Sequence, residues 1–417
     1  MSCARWTCWR LGGPVRRARS RLHLAALVLA PALALAGRAA AACPTGLRSE
    51  LIPLPIYSTL PNEGSTWGFM PVVLRVCPED HRTESIFAPS VSWNSVIHVT
   101  GSFRWFYYPS EDSSLTLMAS ASTRINYNNL LVWQRRPTAV GASTDELLLR
   151  IQRNVFERFF GFGPDTAESA ESSYTSLRFI ASARRGWNVV EHLNVGVTLG
   201  LERDAVESIG VPGLPLAPVV FPQAPGLNGP SLLASQGVDF RYDDRRGGDY
   251  AEQGVLASAG GEFVEGLEGS PGFLRGGVEA RVIWPQPWRV SGAARAYWSA
   301  VTTRQAPFYQ QSSLGGSFLL RGFTERRFTD QQAWTVELEQ RIRVVRTNIF
   351  GVVADWRVDP FVAVGQVFSG FDDMFARPRV SVGAGFRVFA HPNIVGRIDV
   401  AYAGEGVKVY VEIGYPF

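Results

Sequence analysis

The feature that most constrains this chain is a period-two alternation of apolar and other residues, in stretches that run for ten residues or more. At the C-terminus the odd positions from Val407 to Phe417 are all apolar, whereas Lys408, Glu412 and Gly414 lie between them. Successive side chains of a β-strand point to opposite faces of a sheet, so each stretch is a strand with one apolar face. The alternation recurs back to Gly68, and the chain is therefore expected to be all-β.

Strand length separates the two folds that use such a pattern. A strand that crosses a bilayer at a tilt needs about 9 to 11 residues, whereas strands of globular proteins usually have about 5 to 6. The long stretches favour a membrane barrel, and a secreted β-sandwich adhesin is the alternative from another class. Aromatic residues near the strand ends fit the interfacial girdles of barrels or, in the sandwich, ordinary core positions: Trp105, Tyr107, Tyr108, Trp284, Trp288, Tyr297, Trp298, Tyr415 and Phe417.

A sheet that spans a membrane has to close on itself, because lipid offers no partner to an unpaired edge. We therefore expect a transmembrane antiparallel β-barrel of about 16 strands over residues 68–417. The stretch from Ser143 to Gln152 is ambiguous, since it alternates but could also open a short helix. The uncharged, proline-rich segment 208–234 is expected by default to be a flexible surface loop. Its apolar character favours contact with something apolar, so it could instead cap the barrel, contact lipid or bind another protein.

The first 42 residues have the composition of an export signal. They contain seven Arg and no acidic residue, and the charge-free stretch from Leu24 to Gly37 is shorter than the ~20 residues of a spanning helix. We predict a signal peptide at 1–42 and a short periplasmic N-terminal segment at 43–67. Two alternatives stay open: a lipoprotein signal with Cys43 as the lipidated residue, and twin-arginine export through Arg16 and Arg17.

Charge and cysteine content exclude further classes once the signal is set aside. The remaining chain has 41 − 7 = 34 basic and 37 acidic residues, a net charge of 34 − 37 = −3. No basic footprint for nucleic acid remains. Export makes a disulfide between Cys43 and Cys77 possible.

Candidate catalytic or metal-binding groups are few. Outside the signal the histidines are His81, His98, His192 and His391. None has a metal-ligand spacing or stands beside a nucleophile motif. A lipid-facing Ser95–His98 pair is the nearest approach to phospholipase chemistry. We therefore predict no enzyme activity, no cofactor and no metal.

The stretch from Gln310 to Val344 organises the rest of the chain. A glycine-rich loop presents Leu320, Arg321, Gly322 and Phe323, and an alternating strand with Glu337 and Glu339 on its polar face follows. A lone arginine between apolar residues and glycine needs a carboxylate partner, and a polar cavity is the simplest place to find one.

Several motifs together resemble the bacterial surface antigen barrels of the BamA/TamA superfamily. They are Phe160-Gly161-Phe162-Gly163, Tyr242-Asp243-Asp244-Arg245 with Gly254 after it, Leu320-Arg321-Gly322-Phe323 five strands from the end, Glu339-Gln340-Arg341 and the terminal Phe417. The resemblance covers essentially all of residues 43–417. It implies a sixteen-stranded barrel in the bacterial outer membrane, with the sixth outer loop folded into the lumen. It also implies a C-terminal strand, with Tyr415 and Phe417, that the barrel assembly machinery recognises.

The sequence departs from this family pattern in two places. About 25 residues separate the predicted signal from the first predicted strand, which leaves no room for the periplasmic POTRA domains of relatives that insert or secrete proteins. Where relatives place an inward aspartate for the loop arginine, this chain has Ala363. Alternation puts other carboxylates on the lumenal face, and we predict that Asp399 and Glu339 bind Arg321.

These observations predict a non-enzymatic outer-membrane barrel that assists the insertion or translocation of protein or lipid. Its expected partners are outer-membrane lipid and the barrel assembly machinery, and the sequence indicates no cargo. The main alternative is a pore or passive transporter, because charged residues such as Arg379, Arg387 and Arg397 could line a channel.

Overall fold

The computed structural model describes residues 43, 46–80, 82–227, 229–246, 251–349, 352–390 and 394–413. Twenty-one strands follow one another along these residues: β1 (Arg48–Leu60), β2 (Gly64–Val76), β3 (Thr83–Phe87), β4 (Ser90–Asn94), β5 (His98–Ser110), β6 (Ser113–Ser122), β7 (Tyr127–Arg135), β8 (Ser143–Phe159), β9 (Ser172–Val190), β10 (Leu193–Glu207), β11 (Ser231–Asp243), β12 (Gly254–Glu268), β13 (Phe273–Gln286), β14 (Val290–Val301), β15 (Ser312–Leu314), β16 (Phe328–Asp330), β17 (Gln332–Ile349), β18 (Val352–Phe368), β19 (Arg379–Ala390), β20 (Ile394–Ala403) and β21 (Gly406–Ile413). Helical turns are confined to Ala217–Val220, Glu168–Ala170, Phe308–Gln310 and Phe371–Asp373 within these ranges.

The strands form one closed antiparallel barrel. Each long strand pairs with its neighbours in the chain, β14 pairs with β17 across the small β15–β16 hairpin, and β1 pairs with β21 to close the sheet. Both β3 and β4 lie between β2 and β5, so they are two pieces of one strand that is interrupted before Ser90. The barrel therefore has 18 strands, two more than predicted.

The first added strand, β1, corrects the predicted domain boundary. It lies inside the segment 43–67 that was expected to be periplasmic, and it pairs with β2 from Arg48 opposite Val76 to Leu60 opposite Gly64. Pro53 and Pro55 obscured it, since proline is rare inside strands. The second is the ambiguous stretch from Ser143, which forms the first part of β8 rather than a helix.

The two faces of each strand differ as a membrane barrel requires. On β17, Val336 and Leu338 are 39% and 50% exposed on the outer face, whereas Glu337 and Glu339 are 1% and 3% exposed inside. In a sandwich the apolar faces would pack on each other, so that alternative is wrong. The prediction of a transmembrane antiparallel barrel is confirmed.

Loop lengths distinguish the two ends of the barrel. β1 begins and β21 ends at one end, and the three longest connections, 160–171, 208–230 and 302–331, lie at the other. Barrels of outer membranes have short periplasmic turns and longer outer loops, so we name the two ends periplasmic and outer. The connection 302–331 is the seventh outer loop rather than the sixth, because the two added strands precede it, and it still lies five strands before the end.

The predicted signal peptide, residues 1–42, lies outside the described residues. Cys43 and Cys77 are both disulfide-bonded, which disfavours a lipid-modified Cys43. Within the described ranges, no helix is long and apolar enough to span a membrane.

Candidate functional site

The connection between β14 and β17, which we call the arginine loop (residues 302–331), carries the predicted motif to its tip. The β15–β16 hairpin supports the tip, and two backbone bonds close it: the Gly315 N–H donates to Leu319 O at 3.0 Å, and the Gly316 N–H donates to Phe323 O at 3.0 Å. Leu320 adopts a left-handed φ of 57° and is fully buried. A branched residue takes that conformation only where its surroundings fix it. The tip is therefore a built structure and not a free loop.

Arg321 lies fully buried among three carboxylates. Its Nη2 donates to Glu339 Oε2 at 2.9 Å and also to Glu337 Oε1, and its Nη1 lies 3.4 Å from Asp399 Oδ1. The carboxylates come from β17 and β20, which are separated by two strands, and all three are themselves buried. One guanidinium thus connects the loop to both sides of a four-strand segment of the wall.

An aromatic ring completes the environment of Arg321. The guanidinium carbon lies 3.5 Å from the centre of the Phe361 ring on β18. A cation over an aromatic face is stabilised by about 2 kcal/mol when water is excluded. Since Glu339 is opposite Phe361 in the β17–β18 register, the strands present carboxylate and ring side by side.

A second buried arginine, Arg387, holds the acids in place. Its Nη1 donates to Asp399 Oδ1 at 2.6 Å, and its Nε lies 3.5 Å from Asp359 Oδ2. Gly385 is opposite both of these acids in the register, and a Cβ there would lie 2.2 Å from the Arg387 guanidinium. The glycine therefore leaves the space in which Arg387 can bridge two strands.

The charges of this cluster nearly balance. Arg341 donates to Glu339 at 3.1 Å, and Arg397 contacts both Glu412 and Asp399. A buried carboxylate without a cation is costly, whereas a hydrogen-bonded network of opposite charges is tolerated. We call this set the lumenal charge cluster: Arg321, Arg341, Arg387, Arg397, Glu337, Glu339, Asp359, Asp399 and Glu412.

Gly322 makes the closest approach of the loop to the wall. It has φ 109°, and a Cβ would lie 3.2 Å from the side chains of both Ser381 and Ala403. Its N–H donates to the Tyr410 hydroxyl at 2.9 Å, and that hydroxyl donates to Phe323 O at 2.7 Å. The Tyr410 side chain on β21 thus binds the backbone of the last two residues of the motif, Gly322 and Phe323.

Apolar residues of the motif pack into a dry cluster at the outer side of the charges. Leu320 and Phe323 are buried there, and the Phe323 and Phe328 rings meet edge to face at 5.0 Å. Ala363, where the resemblance predicts an aspartate, is a buried member of this cluster. Glu337 lies opposite Ala363 in the register, so a carboxylate on β17 contacts Arg321 instead. The full cluster is Leu314, Leu320, Phe323, Phe328, Ala333, Ala363, Val367 and Ala403.

Arg327 ties the arginine loop to the connection between β8 and β9. Its Nη1 and Nη2 donate to Thr166 Oγ1 and O at 2.8 and 2.6 Å, and its Nε donates to Glu405 at 2.7 Å. The guanidinium also stacks on the Phe160 ring at 4.7 Å. The Gly163 N–H donates to Thr329 O at 2.9 Å beside it, so the Phe160–Gly163 motif closes over the arginine loop.

The proline-rich segment packs onto this closure. Its short helix Ala217–Val220 contributes buried Ala217, and Phe221 meets Phe159 edge to face at 4.9 Å. Phe308 of the arginine loop is fully buried in the same cluster. Of the predicted alternatives for 208–234, the described residues therefore favour a cap over the barrel.

Two acids near the loop hold their protons more tightly than usual. Burial, followed by repulsion from Glu412 and Glu157, raises the pKa of Glu63 in the β1–β2 turn to about 7. The Glu325 side chain in the arginine loop is exposed, yet the protein that surrounds it raises its pKa to about 7, against the opposing charge of Arg326. Both carboxyls start from an ordinary value of 4.5, and of the two only Glu325 lies in the arginine loop.

The structure brings most of the predicted site residues together. Arg321, Glu339 and Asp399 meet in the lumen, and Tyr415 and Phe417 lie outside the described residues. Sequence reasoning did not assign Phe361, Arg387 or Tyr410 to this site, since no local motif marks them, and it named Arg387 only as a residue that could line a channel. His98 lies in a tight turn at φ 62°. Among the described residues, no group of three or more His, Cys, Asp or Glu side chains could hold a metal ion.

Comparison with known proteins agrees with this architecture. Residues 114–410 match the Omp85 superfamily domain. Among solved structures, BamA from Haemophilus ducreyi lacking POTRA domains 1–3 aligns over 88% of this chain and 74% of that chain, at 15% identity and a TM-score of 0.53. CdiB from Escherichia coli aligns over 88% of this chain and 62% of that chain, at 12% identity and a TM-score of 0.49. CdiB from Acinetobacter baumannii aligns over 88% and 65%, at 10% and 0.43.

The chain spans less than two thirds of the length of either CdiB structure. No protein of curated function matches it. The BamA alignment supports the fold alone, whereas the domain match covers more than half of the residues, from within β6 to within β21. The chain therefore belongs to the Omp85 superfamily.

Proposed function

We propose that this protein resides in the bacterial outer membrane and assists the insertion of protein or lipid there without catalysing a covalent reaction. In this proposal the arginine loop keeps the lumen shut, and the junction of β1 and β21, which we call the seam, opens toward the membrane. The observation that carries the proposal is the poor pairing of this seam.

The seam has little backbone pairing among the described residues. Thr59 opposite Val411 is the one position at which the described residues of β1 and β21, which in β21 end at Ile413, are in register. By contrast β1 pairs with β2 along its whole length. Within the part of the chain that the structure describes, this junction thus has the fewest ladder bonds, and the proposal places the opening there.

Two prolines weaken the seam further. Pro53 is opposite Pro71 in β2, and two prolines cannot exchange N–H···O bonds, so this is a non-hydrogen-bonded pair. The backbone nitrogens of Pro53 and of Pro55, two residues on, therefore point away from β2 and toward the seam. Each lacks a proton to donate, and each missing bond removes about 0.5–1.5 kcal/mol of pairing.

A cysteine bridge across the seam tests this function. We expect Thr59→Cys/Val411→Cys, once bridged, to lose the ability to accelerate insertion of an unfolded barrel protein into vesicles, and to regain it on reduction. The control is Ala183→Cys/Leu199→Cys, a pair in register between β9 and β10, which should leave insertion unchanged. Full acceleration by the bridged seam variant would overturn the proposal.

A second candidate function, a pore, rests on a cavity beside the arginine loop. The lumen keeps a polar space of about 550 Å³, lined by charged side chains such as Arg184, Asp239, Glu262 and Arg275. If this space conducts, planar-bilayer recordings will show steady ion currents. An inserting protein with a shut lumen gives brief, irregular openings instead.

The C-terminal strand also enters the proposal as an assembly signal. We infer that the barrel assembly machinery binds this strand through Tyr415 and Phe417. Deletion of Phe417 should then lower the amount of protein in the outer membrane, while export across the inner membrane continues. Unchanged membrane levels would contradict this inference.

A further inference from the structure

A groove crosses the lipid-facing surface from β10 to β17, at a distance from the seam and from the lumenal charge cluster. It encloses about 660 Å³. Its floor consists of small side chains, Ala257, Ala259, Ala280 and Ala296. Its two ends are walled by aromatic side chains, Phe240 and Tyr242 on one side and Trp298 and Trp334 on the other. We call it the alanine groove.

The strand register explains the depression. One row of paired residues crosses six strands: Leu193, Tyr242, Ala257, Ala280, Ala296 and Val336. The next row on the same face is Phe240, Ala259, Val278, Trp298 and Trp334. Three consecutive alanines in the first row lie between the larger side chains of Tyr242 and Val336, so the outer surface is lowered over the middle strands.

The groove runs from one membrane interface toward the other. Leu193 is the first residue of β10 at the periplasmic end, whereas Val336 lies close to the outer end of β17. Strands are about 4.8 Å apart, so a row across six strands is ~24 Å long. Because the strands of such barrels are tilted by about 35–45°, the row runs obliquely and rises by roughly 15 Å along the membrane normal, about half of the ~30 Å hydrocarbon core.

An overhanging loop bounds the groove at its outer end. Trp334 Nε1 donates to Met374 O at 2.7 Å, and the Phe375 ring lies 5.4 Å from the Trp334 ring. Gln366 on β18 fixes the loop by donating to Asp373 O at 2.6 Å. The end at Leu193 and Tyr242 has no such cover among the lining residues, so the groove is entered from the periplasmic leaflet.

We propose that the alanine groove binds one acyl chain of a phospholipid from the periplasmic leaflet. The side chains that line it on the outer face are apolar, with the Tyr242 hydroxyl at the periplasmic end bonded to Asp244 at 3.2 Å. This surface is continuous with the lipid-facing wall. It has no polar partner for a headgroup, whereas a hydrocarbon chain can contact it along its length. The acyl chain is held by the shape of the groove, which distinguishes this site from the rest of the apolar lipid-facing surface.

Photo-crosslinking from the lipid tests the proposal. The full chain is placed in vesicles that contain a phosphatidylethanolamine with a diazirine in its acyl chain, and labelled peptides are mapped after irradiation. We expect β12–β14 to be labelled at least fivefold more than β5–β7, the lipid-facing strands outside the groove. Ala280→Leu fills the floor and should reduce the excess at least threefold.

A matched control separates groove filling from a general change of the surface. Ala121 on β6 is an exposed alanine opposite Gly101, and Ala121→Leu should leave the labelling pattern unchanged. Ala257→Leu provides a second groove variant if Ala280→Leu folds poorly, as judged by heat-modifiable gel mobility. Equal labelling around the barrel, or an excess that survives both groove variants, would overturn the proposal.

The direction of entry has its own readout. Asymmetric vesicles that carry the probe only in the leaflet at the periplasmic end should reproduce the excess on β12–β14. An excess that appears only when the probe is in the opposite leaflet would overturn entry from the periplasmic side.

Discussion

Replacement of Arg321 by alanine should release the arginine loop while the barrel stays folded. The guanidinium is fully buried, and Glu337 contacts no other cation among the salt bridges of the described residues. Removal of one partner of a buried ion pair costs about 3–5 kcal/mol, because the other charge stays behind. At 1.4 kcal/mol per decade, the undocked fraction rises by roughly 10² to 10³·⁵.

Cysteine accessibility measures this release. Ser317 at the tip of the loop is buried, and Cys43 and Cys77 are disulfide-bonded and do not compete for label. A membrane-impermeant maleimide added to Ser317→Cys protein in vesicles should react slowly, and Arg321→Ala in the same background should react at least 100-fold faster. Heat-modifiable gel mobility should stay unchanged in both proteins.

Two further variants serve as controls for the labelling of Arg321→Ala. Arg304→Ala, in the same loop, removes an arginine that is 53% exposed and lies 3.1 Å from Asp330; exposed pairs contribute about 0–1 kcal/mol, so labelling should change less than fivefold. Arg321→Met/Glu337→Leu removes both buried charges and should react more slowly than Arg321→Ala. Equal labelling of Arg321→Ala and its parent would refute the assigned role of Arg321.

Three further predictions concern the same loop. Tyr410→Phe removes both hydroxyl bonds at Gly322 and Phe323, which should cost about 1–3 kcal/mol and raise Ser317→Cys labelling roughly 5- to 150-fold. Arg327→Met should expose the 160–166 connection to proteases, with the tip of the arginine loop still protected from maleimide. The docked loop holds a proton on Glu325 that the undocked loop loses near the ordinary pKa of 4.5, so docking is fully favoured below that pH and weakens as pH rises through about 7. Bilayer recordings should show more openings at pH 8 than at pH 5. Glu325→Gln should flatten this dependence, whereas Glu111→Gln in an exposed periplasmic turn should leave it intact.

Alternation and length predict the class of fold well, because both follow from backbone geometry. They fail at β1, where Pro53 and Pro55 interrupt the pattern expected of a strand. Proline has no N–H to donate, so it is rare inside strands and is tolerated where the described residues form few ladder bonds, as at the junction with β21. The missing N–H therefore explains both why the strand is hard to recognise and why proline is accepted in it.

The candidate site was only partly predictable. Alternation places Glu337, Glu339 and Asp399 on the lumenal face, but it cannot rank them, because their distances to Arg321 depend on the stagger between β17 and β20. The position of Phe361 beside Arg321 could be inferred only from the β17–β18 register. Gly385 has no motif, and its importance appears only when the Arg387 guanidinium is found in the space beside it.

Amide hydrogen exchange along β1, resolved by residue, tests most directly whether the barrel has one weak seam. The N–H group of Tyr57 points toward β21, where the register places Ile413 opposite it, whereas those of Ile52 and Ile56 point toward β2, as the paired prolines require. We expect Tyr57 to exchange at least tenfold faster than Ile52 and Ile56 in vesicles. Equal protection of all three would mean a bonded junction and would contradict the account.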